Sequence, residues 1–109
     1  MKRAEEMAIE LLYFDGCPSW EHVLEQLHVA VPDAEIHLIE IMDGAAAVQE
    51  RFTGSPTLRV NGRDLFPIDQ NEYSLACRVY RTPQGLRGWP TAEMIQAALQ
   101  ELDRENSNV

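Results

Sequence analysis

Leu11-Leu12-Tyr13-Phe14-Asp15-Gly16-Cys17-Pro18-Ser19-Trp20 is the stretch whose reading decides the fold. Its four consecutive bulky apolar residues, stopped by Asp15-Gly16, read as a strand buried on both faces, the kind found in the middle of an α/β sheet. Pro18 suits the first helical position, because its missing N–H has no partner there in any case. Cys17 therefore falls at or near a helix N-cap, where unpaired backbone N–H groups and the helix dipole favour negative charge on sulfur. A thiol so placed is expected to ionise more easily than a free one.

Outward from this turn, 9–14 forms the strand and 18–30 the helix. In that helix Trp20, Val23, Leu24, Leu27 and Val31 recur at spacings of three and four and make one apolar face. Pro32-Asp33 ends it. A second, less buried strand spans 35–41, with polar Glu35, His37 and Glu40 among isoleucine and leucine. Asp43 caps a helix through Ala45-Ala46-Ala47, with Val48 and Phe52 on a shared face, and Gly54 stands where a left-handed C-terminal cap is wanted. Asn61-Gly62, between Thr57-Leu58-Arg59-Val60 and Arg63-Asp64-Leu65-Phe66, is a hairpin signal, since both turn positions need positive φ. Residues 67–90 hold Pro67, Pro83, Gly85, Gly88 and Pro90 and read as an irregular insertion. Within it only 75–81 looks extended, with Leu75, Cys77 and Val79 on one face. A last helix starts near Thr91 and packs Ile95, Ala98, Leu99 and Leu102. A polar tail follows from Asp103, with disorder expected at about 104–109, and 1–7 reads as a charged, frayed end.

The 109 residues, 45% of them apolar, suit a single domain with one modest core. Eighteen acidic against nine basic residues give a formal charge of −9, which argues against nucleic acid and anionic membrane surfaces as partners. The start of the chain has neither a signal peptide pattern nor a membrane span. Two cysteines are too few for a secreted disulfide framework and match no zinc spacing, so a cytoplasmic protein with reduced thiols is expected.

These pieces in this order, with Cys17-Pro18 opening the first helix and Gly54-Ser55-Pro56-Thr57 leading into the hairpin, resemble the thioredoxin-like family. The resemblance covers about 9–66 and 91–102. It implies an α/β fold of the three-layer α/β/α kind, a mixed sheet of about four strands with about three helices, and a cis bond before Pro56. In such proteins the residue before the cis-proline presents its backbone beside the catalytic sulfur and pairs with an extended substrate, a role that falls to Ser55 and Pro56 here. The dithiol members carry a second cysteine three residues after the first; this chain has Trp20 there, so the motif alone leaves a monothiol site.

Cys17 is the candidate nucleophile. Cys77, on a face with Leu75 and Val79, reads more readily as core than as a resolving thiol, and both roles stay open. Pro18, Trp20, Ser55, Pro56 and Thr57 are the candidate substrate-binding residues, although Trp20 and Trp89 are bulky enough to serve packing first. Asp15 reads as a turn residue, and Arg78, Arg81 and Arg87 offer either solvated surface or an anion site. The expected function is a thiol-dependent oxidoreductase acting on disulfide or oxidised-thiol substrates, small molecule or protein. Cys77 or a small thiol such as glutathione would release the adduct, with no tightly bound cofactor and a monomer or weak homodimer. The alternatives are a thiol protein that handles soft metals or organomercurials, by analogy with thiol-plus-carboxylate lyases and resting on Cys17, Cys77 and Asp15 coming together, and a non-catalytic binding module of the same fold.

Overall fold

The computed structural model describes residues 8–68 and 72–107. Strand β1 (Ala8–Tyr13) lies inside a sheet, parallel to β2 (Glu35–Glu40) on one side and antiparallel to β3 (Thr57–Val60) on the other. β3 turns into the two-residue β4 (Arg63–Asp64), which completes a four-stranded mixed sheet of order β2-β1-β3-β4. Three helices accompany it, α1 (Ser19–Ala30), α2 (Gly44–Gln49) and α3 (Ala92–Ser107), so the chain is an α/β protein. None of them is long and apolar enough to cross a membrane among the described residues.

The central position of β1 follows from its composition. Ile9 and Leu11 point into a core shared with Val23 and Leu27 of α1, Leu58 and Val60 of β3, and Ile95 and Leu99 of α3. Leu12, one residue on and therefore on the opposite face, packs with Ile41, Ala47 and Phe52 in a second cluster. Removing a side chain such as the fully buried Leu58 from water contributes about 2 kcal/mol. β2, at the sheet edge, leaves Glu35, His37, Leu38 and Glu40 exposed, which agrees with its mixed sequence. The Asn61-Gly62 turn has positive φ at both residues, 54° and 80°, as the dipeptide predicts. Asp43 caps α2 by accepting from the Ala46 N–H at 2.8 Å, and the Thr91 hydroxyl accepts from the Met94 N–H at the head of α3.

Four expectations change. Val48 does not share the buried face of Phe52: α2 ends at Gln49, and Val48 is exposed while Ala47 turns inward. Gly54 is not the helix cap; the left-handed position after α2 is Arg51 (φ 54°), and Gly54 (φ 142°) serves a close backbone approach described below. The insertion at about 67–90 is less irregular than its prolines suggest. It contains an antiparallel hairpin, β5 (Tyr80–Thr82) and β6 (Gly85–Arg87), turned at Pro83-Gln84, with the Thr82 hydroxyl donating to the Gly85 carbonyl. The polar tail is helical through Ser107, because Leu102 is buried and Glu101–Arg104 and Arg63–Glu105 pairs line the last turns. Residues 1–7 and 108–109, read as frayed or disordered ends, lie outside the described residues.

Candidate functional site

The site begins where β1 ends. Phe14, Asp15 and Gly16 form a tight turn closed by the Cys17 N–H donating to the Phe14 carbonyl at 3.1 Å, and Pro18 then leads into α1. Cys17 thus stands at the head of a twelve-residue helix, one position before the Pro18 that occupies the N-cap. Its side chain is fully buried. Across from it lies the Gly54-Ser55-Pro56-Thr57 loop, with a cis bond between Ser55 and Pro56 and the Cys17 thiol donating to the Ser55 carbonyl at 3.6 Å. The Ser55 hydroxyl accepts from the Phe14 N–H, tying the two loops together.

Cys77 completes the site. Its Sγ lies 2.6 Å from Cys17 Sγ, bringing together two residues widely separated in the chain. A disulfide bond measures about 2.05 Å, so these are two free thiols in direct contact. Cys77 is the donor of that contact. Its thiol is pushed up from the ordinary 9.0 to about 11, first by the hydrogen bond to the Cys17 sulfur, then by burial and by charge on Cys17. The exposed Cys77 thiol therefore holds its proton more tightly than a free thiol does.

What places Cys77 there is main-chain pairing. Ser55 donates to the Ala76 carbonyl at 2.7 Å and accepts from the Arg78 N–H at 2.8 Å, a parallel bridge with Cys77 at its centre. Such proximity requires Gly54: a Cβ there would sit 2.6 Å from Arg78 Cγ and 3.1 Å from the Ala76 carbonyl oxygen. Arg78, only 5% exposed, fixes the segment on the far side. Its guanidinium donates to Asp64 at 2.8 Å, to the Phe66 carbonyl at 2.5 Å and to the Thr57 hydroxyl at 3.3 Å, and lies over the Tyr80 ring. The Tyr80 hydroxyl in turn donates to the Pro56 carbonyl at 2.5 Å, and burial holds its pKa above the usual phenol range.

The expected apolar face of the insertion is inverted. Leu75 and Val79 are 40% and 64% exposed and Cys77 is exposed with them, whereas Arg78 and Tyr80 point inward. The alternation is real, but an ion pair with Asp64 and an edge-on contact between Tyr80 and Phe66 draw the polar set inside. Cys77 is therefore not a core residue, and Arg78 is no anion site, since its charge is already paired. Arg78 is the positioning residue that reading by hydrophobic pattern missed; its alternation with Tyr80 was the available signal.

Among the candidate substrate-binding residues, Ser55, Pro56 and Thr57 are buried; Ser55 alone meets the sulfurs, through its carbonyl on Cys17 and its pairing with Cys77, while the Pro56 carbonyl accepts from Tyr80 and the Thr57 hydroxyl from Arg78. Pro18 is exposed beside Cys17. Trp20 stacks on Tyr13 at 4.3 Å and packs against the core, and Trp89 stacks on His22 at 4.1 Å, so both indoles have packing partners. Asp15 is exposed in the turn. Among the described residues no three His, Cys, Asp or Glu side chains gather as metal ligands, so Asp15 does not join the two sulfurs. Compared with models of known families, with curated proteins and with solved structures, the chain matches none.

Proposed function

We propose that this chain is a thiol–disulfide oxidoreductase of thioredoxin-like type in which Cys17 and Cys77 form the redox pair. The observation that carries the reading is the 2.6 Å separation of the two sulfurs. Trp20 denies Cys17 a partner within its own helix, and the fold supplies one from the insertion. A disulfide substrate would be reduced to two thiols while Cys17 and Cys77 join. Glutathione or another small thiol would return the pair to the dithiol state, so electrons and protons balance across the cycle. The thiol chemistry and the acidic surface together suit a cytoplasmic setting.

The same two thiols allow a second reading, capture of a soft metal ion without the carboxylate of the lyase analogy, which requires the sulfurs to move apart from their 2.6 Å contact to admit the ion. A non-catalytic binding module gains less support, because the Ser55 backbone that would pair with a peptide is already paired with Ala76 and Arg78.

Reduced protein treated with glutathione disulfide decides the matter. The expected result is loss of both free thiols, a mass lower by two hydrogens with no glutathione retained, and loss of disulfide turnover in Cys17→Ser. Two thiols that persist through the treatment overturn the oxidoreductase reading, and persistence with tight mercuric-ion binding supports the second.

A further inference from the structure

Thiol–disulfide exchange requires an incoming sulfur to reach a protein sulfur in line with the bond being broken, so access decides which cysteine meets the partner. Cys17 is fully buried and Cys77 is exposed. The run from Ala76 to Tyr80, which sets Cys77 against the Cys17 sulfur, is not a free flap. It is held by both main-chain groups of Ser55, by three bonds from the Arg78 guanidinium and by the Tyr80 hydroxyl. The backbone positions at which an extended substrate would pair beside Cys17 are filled by the chain's own Ala76 and Arg78. An outside molecule thus finds neither the Cys17 sulfur nor a strand edge next to it.

We propose that Cys77 is the sulfur that carries the mixed disulfide with the outside partner, a small-molecule thiol or disulfide, and that Cys17 is the buried sulfur that resolves it. This rests on the redox-pair reading and reverses the roles expected from the Cys17-Pro18 motif. In the oxidised protein, a small thiolate attacks Cys77 Sγ. The Cys17–Cys77 bond breaks, a bond from Cys77 to the incoming sulfur forms, and Cys17 leaves as thiolate at the head of α1, where the helix dipole favours negative charge. A second small thiolate attacks the partner's sulfur in the adduct, releasing a small-molecule disulfide and leaving Cys77 to take up a proton. Reduction of a small disulfide is the same path reversed: Cys77 thiolate displaces one small thiol, and Cys17 thiolate attacks Cys77 and displaces the other.

The hydrogen bond to the Cys17 sulfur raises the Cys77 thiol to about 11, so attack by Cys77 on a small disulfide is expected to quicken as pH rises toward that value.

Oxidised wild-type protein mixed with less than one equivalent of glutathione, quenched in acid and mapped by peptide mass, tests this without any substitution. Glutathione is expected on the peptide that contains Cys77. In parallel, Cys17→Ser treated with glutathione disulfide is expected to accumulate an adduct on Cys77, and Cys77→Ser to label Cys17 slower by about tenfold or more. Glutathione found on Cys17 in wild type, with fast labelling of Cys77→Ser, overturns the assignment while leaving the redox pair intact. Failure of wild-type protein to form the Cys17–Cys77 disulfide at all overturns both.

Discussion

At the scale of single residues, the Cys77 thiol is the most informative group in the molecule. Cys77 is raised from the ordinary 9.0 to about 11, so the folded chain binds this proton more tightly than the unfolded chain does. Its contribution to stability is complete below about pH 9 and is lost as pH rises through about 11. Reduced protein is expected to lose resistance to urea across that window more steeply than Cys77→Ser. Alkylation of Cys77 by iodoacetamide should reach half its maximal rate near pH 11; a midpoint near pH 9 would mean that the contact with Cys17 does not hold in solution. The residue-level placing of Cys17 at the head of a helix agrees with the structure, where it stands just before the Pro18 N-cap of α1. That of Cys77 as core does not, because counting apolar neighbours at alternate positions says which residues share a face and not which way the face turns.

At the scale of elements, the short run from Ala76 to Tyr80 connects everything around the sulfurs. Arg78 is its anchor: the side chain is 3% exposed and its Asp64 partner 22% exposed, so the pair is largely withdrawn from water. Removing one member of such a pair leaves the other uncompensated. Arg78→Met is expected to cost about 3 kcal/mol in denaturant unfolding of the reduced protein. It is also expected to loosen the run beside Cys17, read as faster alkylation of that residue at neutral pH. If stability falls and Cys17 labelling stays unchanged, Arg78 supports the fold alone and does not hold the run. The sequence signals for β1, α1, the Asn61-Gly62 hairpin and α3 are local, since periodicity, caps and turn dipeptides act within a few residues, and these elements are found where those signals place them. The β5–β6 hairpin was obscured by its prolines and glycines, which mark a turn as readily as they mark disorder.

At the scale of the whole molecule, β1 divides two cores, with α1 and α3 packed on one side and α2 with Phe52 on the other. Both faces are needed to bury a strand as apolar as 9–14. A disulfide between Cys17 and Cys77 would close a loop of 60 residues around this arrangement. By restricting the unfolded chain, such a loop is expected to raise stability by about 2–4 kcal/mol. Urea unfolding of oxidised against reduced wild type measures this, with Cys77→Ser as the variant that should show no difference. An oxidised form no more stable than the reduced one would indicate that closing the bond distorts the Ser55–Cys77 bridge.

The order of β1, α1, β2, α2, the β3–β4 hairpin and α3, and the placing of one cysteine at the head of a helix, were determined by the sequence alone, because each depends on residues close together in the chain. The partner of that cysteine, the exposure of one sulfur and burial of the other, and the service of Arg78 as an anchor were decided only by the tertiary structure. Those depend on a contact between Ser55 and Cys77 that no local pattern encodes: Gly54 leaves room for it, the Ser55 backbone makes it, and a charge on Asp64 turns the neighbouring Arg78 inward and Cys77 out.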